Sequence, residues 1–452
     1  MIAPARVAAF DASLAVSAGR LDLSDAVAAA RSSLRDERDK ALAAEIAIGV
    51  QRWRAALDHL IAHFSKRRLD KLDREVLEIL RLSAYQLLHL TRVPASAVVD
   101  DAVNLTGRAG KRSASGLVNA VLRALSRSRA SLPLPPRPAG PGDRAAALDY
   151  FAITLAHPRW LAERWLERYG FEATEQWLRF NNAAAPLTLR ANRLRNTPEE
   201  LVPRLAHDGV VVSRGRFAPD ALIVEEGQPL GGTGLERGWF VVQDEASQLL
   251  ALLAGAHPGG RVLDTCAAPG GKTTAIAARM DRDSLLVACD VRNRRMELLR
   301  RTVDVTGAAN VRLVQADLTR PPPFSPRFDC VFVDAPCSGL GTLRRDPDIK
   351  WRRRADELPS MAAHELRLLR HAADAVAPGG RLVYTTCSSE PEENELVAAA
   401  FLDGATGFVH VDARDAAPEL SPELVDPNGH LRTSPHVHGL EAFFGAVFAR
   451  RV

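Results

Sequence analysis

Apolar positions recur at intervals of three and four over the first 130 residues. Val76, Leu77, Leu80, Leu82, Tyr85 and Leu88 fall on one face, as do Leu117, Val118, Val121, Leu122 and Leu125, the spacing of an amphipathic helix. Proline is nearly absent between Pro4 and Pro133, and Pro94 marks one turn between helices. Residues 1–130 are therefore expected to form an all-α domain. The pattern breaks at SLPLPPRPAGPG (131–142), and residues 131–144 read as a semi-rigid linker. Residues 145–235 are mixed. Two aromatic-bearing helical stretches, LAHPRWLAERWLERYG and TEQWLRFNN, precede a strand, PLTLRAN, and a helix-then-strand pattern, which predicts a small α/β domain.

From residue 236 to 452 short apolar runs alternate with helical patterns, the signature of an α/β layer with a mostly parallel sheet. The strands are expected at RVLDTC (261–266), LLVACD (285–290), VRLVQAD (311–317), FDCVFVDAPC (328–337) and RLVYTTCS (381–388). One helix, about 356–377, separates the last two. Open α/β sheets bind ligands at the carboxyl ends of their strands. Asp264, Asp290, Asp317, Asp334, Cys337 and Cys387 fall at those ends.

Composition narrows the classes. The 452 residues are 46% hydrophobic and 25% charged, the balance of a soluble globular protein. No apolar run approaches the roughly 18 residues of a membrane span. Arg6 and Asp11 interrupt the N-terminal segment, so no signal peptide is expected. Five cysteines make no disulfide scaffold and fit a reducing compartment, the cytoplasm. Residues 1–130 hold 21 basic and 14 acidic side chains, a surplus that favours a polyanionic partner. Lysine occurs only at 40, 66, 71, 111, 272 and 350, which draws attention to Lys272.

The segment DTCAAPGGKTT (264–274) runs from strand through a glycine turn into a helix. Backbone can approach a ligand closely at such a turn. A phosphate-binding P-loop needs glycine at position 266, which is Cys266, and the dinucleotide pattern G-x-G-x-x-G fails as well. A nucleoside cofactor without phosphates remains. Asp290, at the second strand end, suits ribose hydroxyls, and Asp317, at the third, suits an adenine amino group. S-adenosyl-L-methionine (SAM) has these parts and no phosphate. The backbone of Cys266, Ala267, Ala268, Pro269, Gly270 and Gly271, with Asp290 and Asp317, is the expected cofactor site.

Carbon 5 of cytosine is a poor nucleophile until a thiolate adds to carbon 6 and turns the ring into an enamine. Such catalysis needs an activated cysteine, a group at ring N3 and a base. Cys337 and Cys387, amid polar and glycine neighbours, are candidates for it. Cys289 and Cys330 lie inside apolar runs and read as buried packing residues, as mostly does Cys266.

CAAPGGKT, DAPCSG and TCSxxPxENE together resemble the RNA 5-methylcytosine methyltransferases of the NOL1/NOP2/Sun family. An amino-group methyltransferase would carry Asn or Asp followed by Pro-Pro-aromatic where this chain has Asp334-Ala335-Pro336-Cys337. The resemblance implies a Rossmann-like class I SAM methyltransferase domain with a mostly parallel seven-stranded sheet. It further implies Cys387 as nucleophile, Cys337 in product release, Asp334 at the base N3 or the donor's amino group, and Lys272 lining the pocket. Val242-Gln243-Asp244-Glu245-Ala246-Ser247-Gln248 is similar to the family's pre-core motif, and HGLEAFFGAVFARR to its last strand pair. LDREVLEILRLSAYQLLHL, VPASAVVDDAVNLT and GLVNAVLRAL resemble NusB-type RNA-binding domains. This domain order is similar to that of 16S ribosomal RNA cytosine-C5 methyltransferases, which implies 16S rRNA, naked or in early assembly, as partner of a monomeric enzyme. A tRNA enzyme and a non-catalytic RNA or antitermination adaptor are the alternatives. The histidines lack metal-ligand spacing, so no metal site is expected. Arg344, Arg345 and Arg352–Arg354 suit either RNA phosphates or a solvated basic face.

Overall fold

A computed structural model describes residues 2–140, 142–324 and 327–452; Pro141, in the expected linker, lies outside them. The chain divides into two units, Met1–Ala184 with Leu343–Arg353, and Ala185–Thr342 with Arg354–Val452.

The first unit begins with seven helices, α1 (Pro4–Ser17), α2 (Leu23–Ser32), α3 (Glu37–Arg52), α4 (Arg54–Ser65), α5 (Arg74–His89), α6 (Ala95–Arg108) and α7 (Ser115–Arg127). Pro94 stands at the N-terminal boundary of α6. The apolar faces expected on α5 and α7 meet in one core with α1, α3 and α4. Because α5 is enclosed, its polar residues must find partners inside. Arg81 donates to the Asp58 carboxylate at 2.7 and 2.8 Å and to Glu78 at 2.6 Å. The proline-rich stretch lies against this core: Leu132 and Leu134 pack on it, and His59 bonds to the Pro133 carbonyl at 2.9 Å. The aromatic helical stretches form two consecutive helices within Arg159–Asn182, separated by a kink at Gly170, where φ is +77°. Residues 145–235 are thus divided. Their helices up to Ala184 group with the first unit and their strands with the second.

Leu343–Arg353, although it follows Cys337 in the chain, is folded among these helices. Trp351 Nε1 donates to the Gln51 carbonyl at 2.7 Å and Lys350 Nζ to the Arg52 carbonyl at 2.9 Å. Asp348 accepts from the Leu23 amide at 3.3 Å. Lys350 is buried, and burial pushes its amine well below the usual range.

The second unit holds two sheets. In the smaller, β1 (Thr188–Ala191), β2 (Val211–Arg214), β3 (Ala221–Glu226) and β4 (Phe240–Val242) lie antiparallel in the order β2-β3-β1-β4. The helix Pro198–His207, started by a Thr197–Glu200 capping box, packs Leu201 and Leu205 on Leu189, Leu222 and Phe240.

The larger sheet contains β5 (Arg261–Asp264), β6 (Leu285–Asp290), β7 (Val311–Gln315), β8 (Phe328–Asp334), β9 (Val376–Thr386), β10 (Phe408–Val411), β11 (Leu431–Arg432) and β12 (Phe444–Arg450). Seven strands run in the order β10-β12-β9-β8-β5-β6-β7, and the two-residue β11 pairs with β12 as an eighth. Strands β5 to β9 are parallel; β12 and β10 are antiparallel additions. Alternate residues of β8 enter opposite cores, Cys330 and Phe332 in one, Val331 and Val333 in the other. Burial on both faces explains why these strands read as continuous apolar runs. The expected closing strand pair is corrected: HGLEAFFGAVFARR supplies one strand, β12, between β9 and β10. The helix expected between the last two strands spans Leu358–Ala373. Strand order reverses between β5 and β8, and the ligand crevice of such sheets opens at that reversal.

Candidate active site

The turn after β5 is shaped by its glycines. The Ala267 amide donates to the Cys289 carbonyl of β6 at 2.8 Å, and the Gly270 amide closes back on Ala267 at 2.8 Å. Gly270 has φ +105°, a conformation that strains any other residue, and a Cβ there would press Leu299 and Thr302 at 3.0–3.1 Å. The helix Gly271–Ala277 follows without a side-chain cap. Beneath the turn Asp264 is buried and accepts from the Thr273 hydroxyl at 2.7 Å. Burial pushes its carboxyl up to about 7. Burial also pushes the Cys266 thiol up to about 12, which leaves it protonated and unreactive.

Asp290 closes β6 and is buried. It accepts from the Val291 amide at 2.8 Å and pairs with Arg295 Nε at 3.1 Å. Arg295 also donates to the Ala268 carbonyl at 2.6 Å, joining the β6 end to the glycine turn. Asp317 lies two residues beyond β7 and is exposed. It is held by its own turn, accepting from the Thr319 hydroxyl at 2.6 Å and amide at 3.0 Å. The Thr319 hydroxyl draws its carboxyl below the usual range.

At the β8 end, Asp334 Oδ2 lies 2.8 Å from Lys272 Nζ, and the Thr385 hydroxyl of β9 donates to Oδ1 at 3.0 Å. Burial alone would lower the Lys272 ammonium, but Asp334 outweighs it and holds the group above its usual range. The Phe443 ring centroid lies 5.6 Å from the same nitrogen.

Cys337 and Cys387 follow the adjacent parallel strands β8 and β9, and their sulfurs are 3.1 Å apart as free thiols. The Cys387 amide donates to Cys337 Sγ at 3.3 Å. The Cys387 carbonyl accepts from Gly341 at 2.9 Å; a Cβ on Gly341 would sit 1.9 Å from the Ala442 oxygen, so only glycine lets the loops approach this closely. The bond to Cys387, reinforced by burial, raises the Cys337 thiol well above its usual range. Cys337 therefore holds its own proton firmly. Such an arrangement can hold one sulfur as nucleophile and the other as proton donor.

Lys272, Asp334, Cys337 and Cys387 thus form one cluster, with Asp290 tied to the neighbouring turn. Sequence reasoning passed over Thr385, Arg295, Ser338, Ser388, Glu393 and Glu365. Glu393 stood in plain view within TCSxxPxENE, and each serine follows a cysteine. Glu365 carries no local signal, being one acidic residue on an amphipathic helix.

Over residues 251–449 the chain matches the family described as 16S rRNA methyltransferase RsmB/F, over 3–127 the NusB family, and over 157–231 the ferredoxin-like domain of RsmF/B-like methyltransferases. It is similar to ribosomal RNA small subunit methyltransferase B of Pseudomonas putida, at 34% identity over 433 residues, 94% of this chain and 96% of the relative. It is also similar to the probable enzyme of that name from Bacillus subtilis, at 31% identity over 92% and 91% of the two chains. The crystal structure of PH0851 superposes with a TM-score of 0.81 at 26% identity over 99% of each chain. A methyltransferase homologue from Pyrococcus horikoshii gives 0.58 at 28% identity over 68% of this chain and 99% of its own.

Proposed function

Because the chain belongs to the RsmB/F family of 16S rRNA methyltransferases, we propose that it methylates carbon 5 of a cytosine in 16S rRNA through a covalent bond between Cys387 and carbon 6. The family is one of SAM-dependent RNA methyltransferases. The donor set fits that cofactor. Asp290 and Asp317 offer carboxylates to hydroxyl and amino donors at neighbouring strand ends, and Lys272, the cation a triphosphate would require, is engaged by Asp334. When bound, SAM supplies an electrophilic methyl group on a sulfonium.

The observation that carries the reading is the pair of sulfurs 3.1 Å apart beside the Lys272–Asp334 ion pair. Cys387, as thiolate, adds to carbon 6 of the cytosine while Asp334 and its lysine hold the N3 edge, and the ring electrons move to carbon 5. After methylation the carbon-5 proton passes to a base, the carbon 6–sulfur bond breaks, and Cys387 leaves as thiolate. Cys337, which keeps its proton, attends this release. The helical domain, with 21 basic and 14 acidic residues before position 131, supplies RNA affinity. The enzyme acts as a cytoplasmic monomer on naked or early-assembly rRNA. Among the described residues no helix is long and apolar enough to cross a membrane.

The test is a transcript of 16S rRNA incubated with the protein and methyl-labelled SAM, then digested to nucleosides. Label in 5-methylcytidine is expected. Label in 4-methylcytidine or a ribose 2′-O-methyl group would overturn the reading.

A further inference from the structure

Below the two sulfurs lies a buried polar cluster that the chemistry above does not use. Glu393 is fully buried, at 0% exposure. Its Oε1 accepts from the Ser338 amide at 2.6 Å, and its Oε2 from the Ser338 hydroxyl at 2.6 Å and from the Ser388 hydroxyl. Ser338 is the residue after Cys337, and Ser388 the residue after Cys387. One carboxylate therefore grips both cysteine loops at the position next to each sulfur, and the two serine hydroxyls are 3.2 Å apart across it.

We propose that Glu393 is a positioning residue that sets the separation of Cys337 and Cys387. The inference rests on the reading of these cysteines as the reacting pair. A buried carboxylate is costly unless donors compensate it. Here the compensation comes from three N–H and O–H groups, two on one loop and one on the other, so desolvation itself favours bringing the loops together. Asn394 adds a tie to the second loop, donating to the Ser388 carbonyl at 3.0 Å.

Beneath Glu393 lies Glu365, also fully buried, whose carboxyl is hydrogen-bonded to the Tyr384 hydroxyl at 3.0 Å; the same hydroxyl donates its proton to the Glu393 carbonyl. Two carboxyls so enclosed do not both ionise. Burial, with the charge of Glu393, pushes Glu365 up to about 9. Glu365 is thus the neutral partner, and Glu393 is the carboxyl on which the three loop donors converge. The isosteric amide separates the two roles. Glutamine replaces a neutral Glu365 at little cost, but at 393 its NH2 group accepts nothing from a serine.

The experiment compares the full chain with Glu393→Gln and Glu365→Gln in two measurements. In the first, diamide oxidises the two thiols to a Cys337–Cys387 disulfide and is itself reduced to the hydrazine; the rate is read by mass spectrometry of the linked peptides. In the second, kcat and the KM for SAM are measured on 16S rRNA. Glu393→Gln is expected to slow cross-linking and kcat by about tenfold or more, the loss of one charge-assisted hydrogen bond, with KM for SAM unchanged. Glu365→Gln is expected to stay within about twofold of the parent below pH 8, one neutral bond being at stake. Parental cross-linking and kcat in Glu393→Gln would overturn the proposal. If Glu393→Gln does not fold, Ser338→Ala removes one donor alone, and parental cross-linking in that variant overturns it equally. Cross-linking needs neither RNA nor SAM, so it reads the clamp even if methyl transfer to carbon 5 fails in every form of the protein, the result that sinks the functional reading instead.

Discussion

Lys272 Nζ and Asp334 Oδ2 lie 2.8 Å apart, and Thr385 fixes the second oxygen of the carboxylate. The pair joins the helix after β5 to the end of β8, across the point where strand order reverses. It links the cofactor turn to the strand that leads into Cys337. Each side chain is partly exposed, 15% for the lysine and 29% for the aspartate, so solvent screens part of the attraction. The pair orients more than it stabilises.

Replacement of either member is therefore expected to damage catalysis more than folding. Lys272→Met and Asp334→Asn each lower kcat/KM, and the double variant falls short of the summed losses by about 1–3 kcal/mol, the coupling of residues in contact. Steady-state kinetics on the four proteins measures it. Strict additivity would show that the two act separately.

Asp290 is tied to the cofactor turn through Arg295, whereas Asp317 stands in its own turn. Asp290→Asn is expected to weaken binding of S-adenosylhomocysteine by about tenfold or more, the order of one charge-assisted hydrogen bond. Asp317→Asn, at an exposed position, should cost less. Calorimetric titration without RNA reads both, and affinity for the 16S transcript should remain unchanged.

Glu365 gives the fold a distinctive alkaline behaviour. Its carboxyl is raised from an ordinary value of 4.5 to about 9. Between those values the unfolded chain releases a proton that the folded chain keeps, so stability from this group is full at low pH and declines as pH rises toward 9. Asp264, raised to about 7, contributes in the same direction over a lower range. Glu365→Gln should therefore flatten the loss of stability over the whole interval from 4.5 to about 9, leaving below about 7 only the share that Asp264 contributes. Chemical denaturation across pH measures it; an unchanged slope above 7 would contradict the assignment.

What the sequence disclosed, and what it concealed, follow from locality. Cys337 and Cys387 were legible as a pair because each ends an apolar run, and adjacent parallel strands bring such ends together. Lys272 was conspicuous in a chain with six lysines. Leu343–Arg353 was not legible. Its arginines suggest a grip on RNA phosphates or a solvated basic face, yet Asp348, Lys350 and Trp351 bond to Leu23, Arg52 and Gln51, about 300 residues away and without any local trace. Glu365 was hidden for a similar reason, since one glutamate on an amphipathic helix looks solvated until the buried faces of Tyr384 and Glu393 are known.

The measurement that tests the central claim most directly is the capture of the protein–RNA bond. Cys337→Ala, incubated with 16S transcript and SAM, should retain a complex on a denaturing gel, and peptide mapping should find the cytosine on Cys387; Cys387→Ala should form no complex and no 5-methylcytidine. A bond mapped to residue 337 in the Cys387→Ala protein, or full methylation by that protein, would contradict the account.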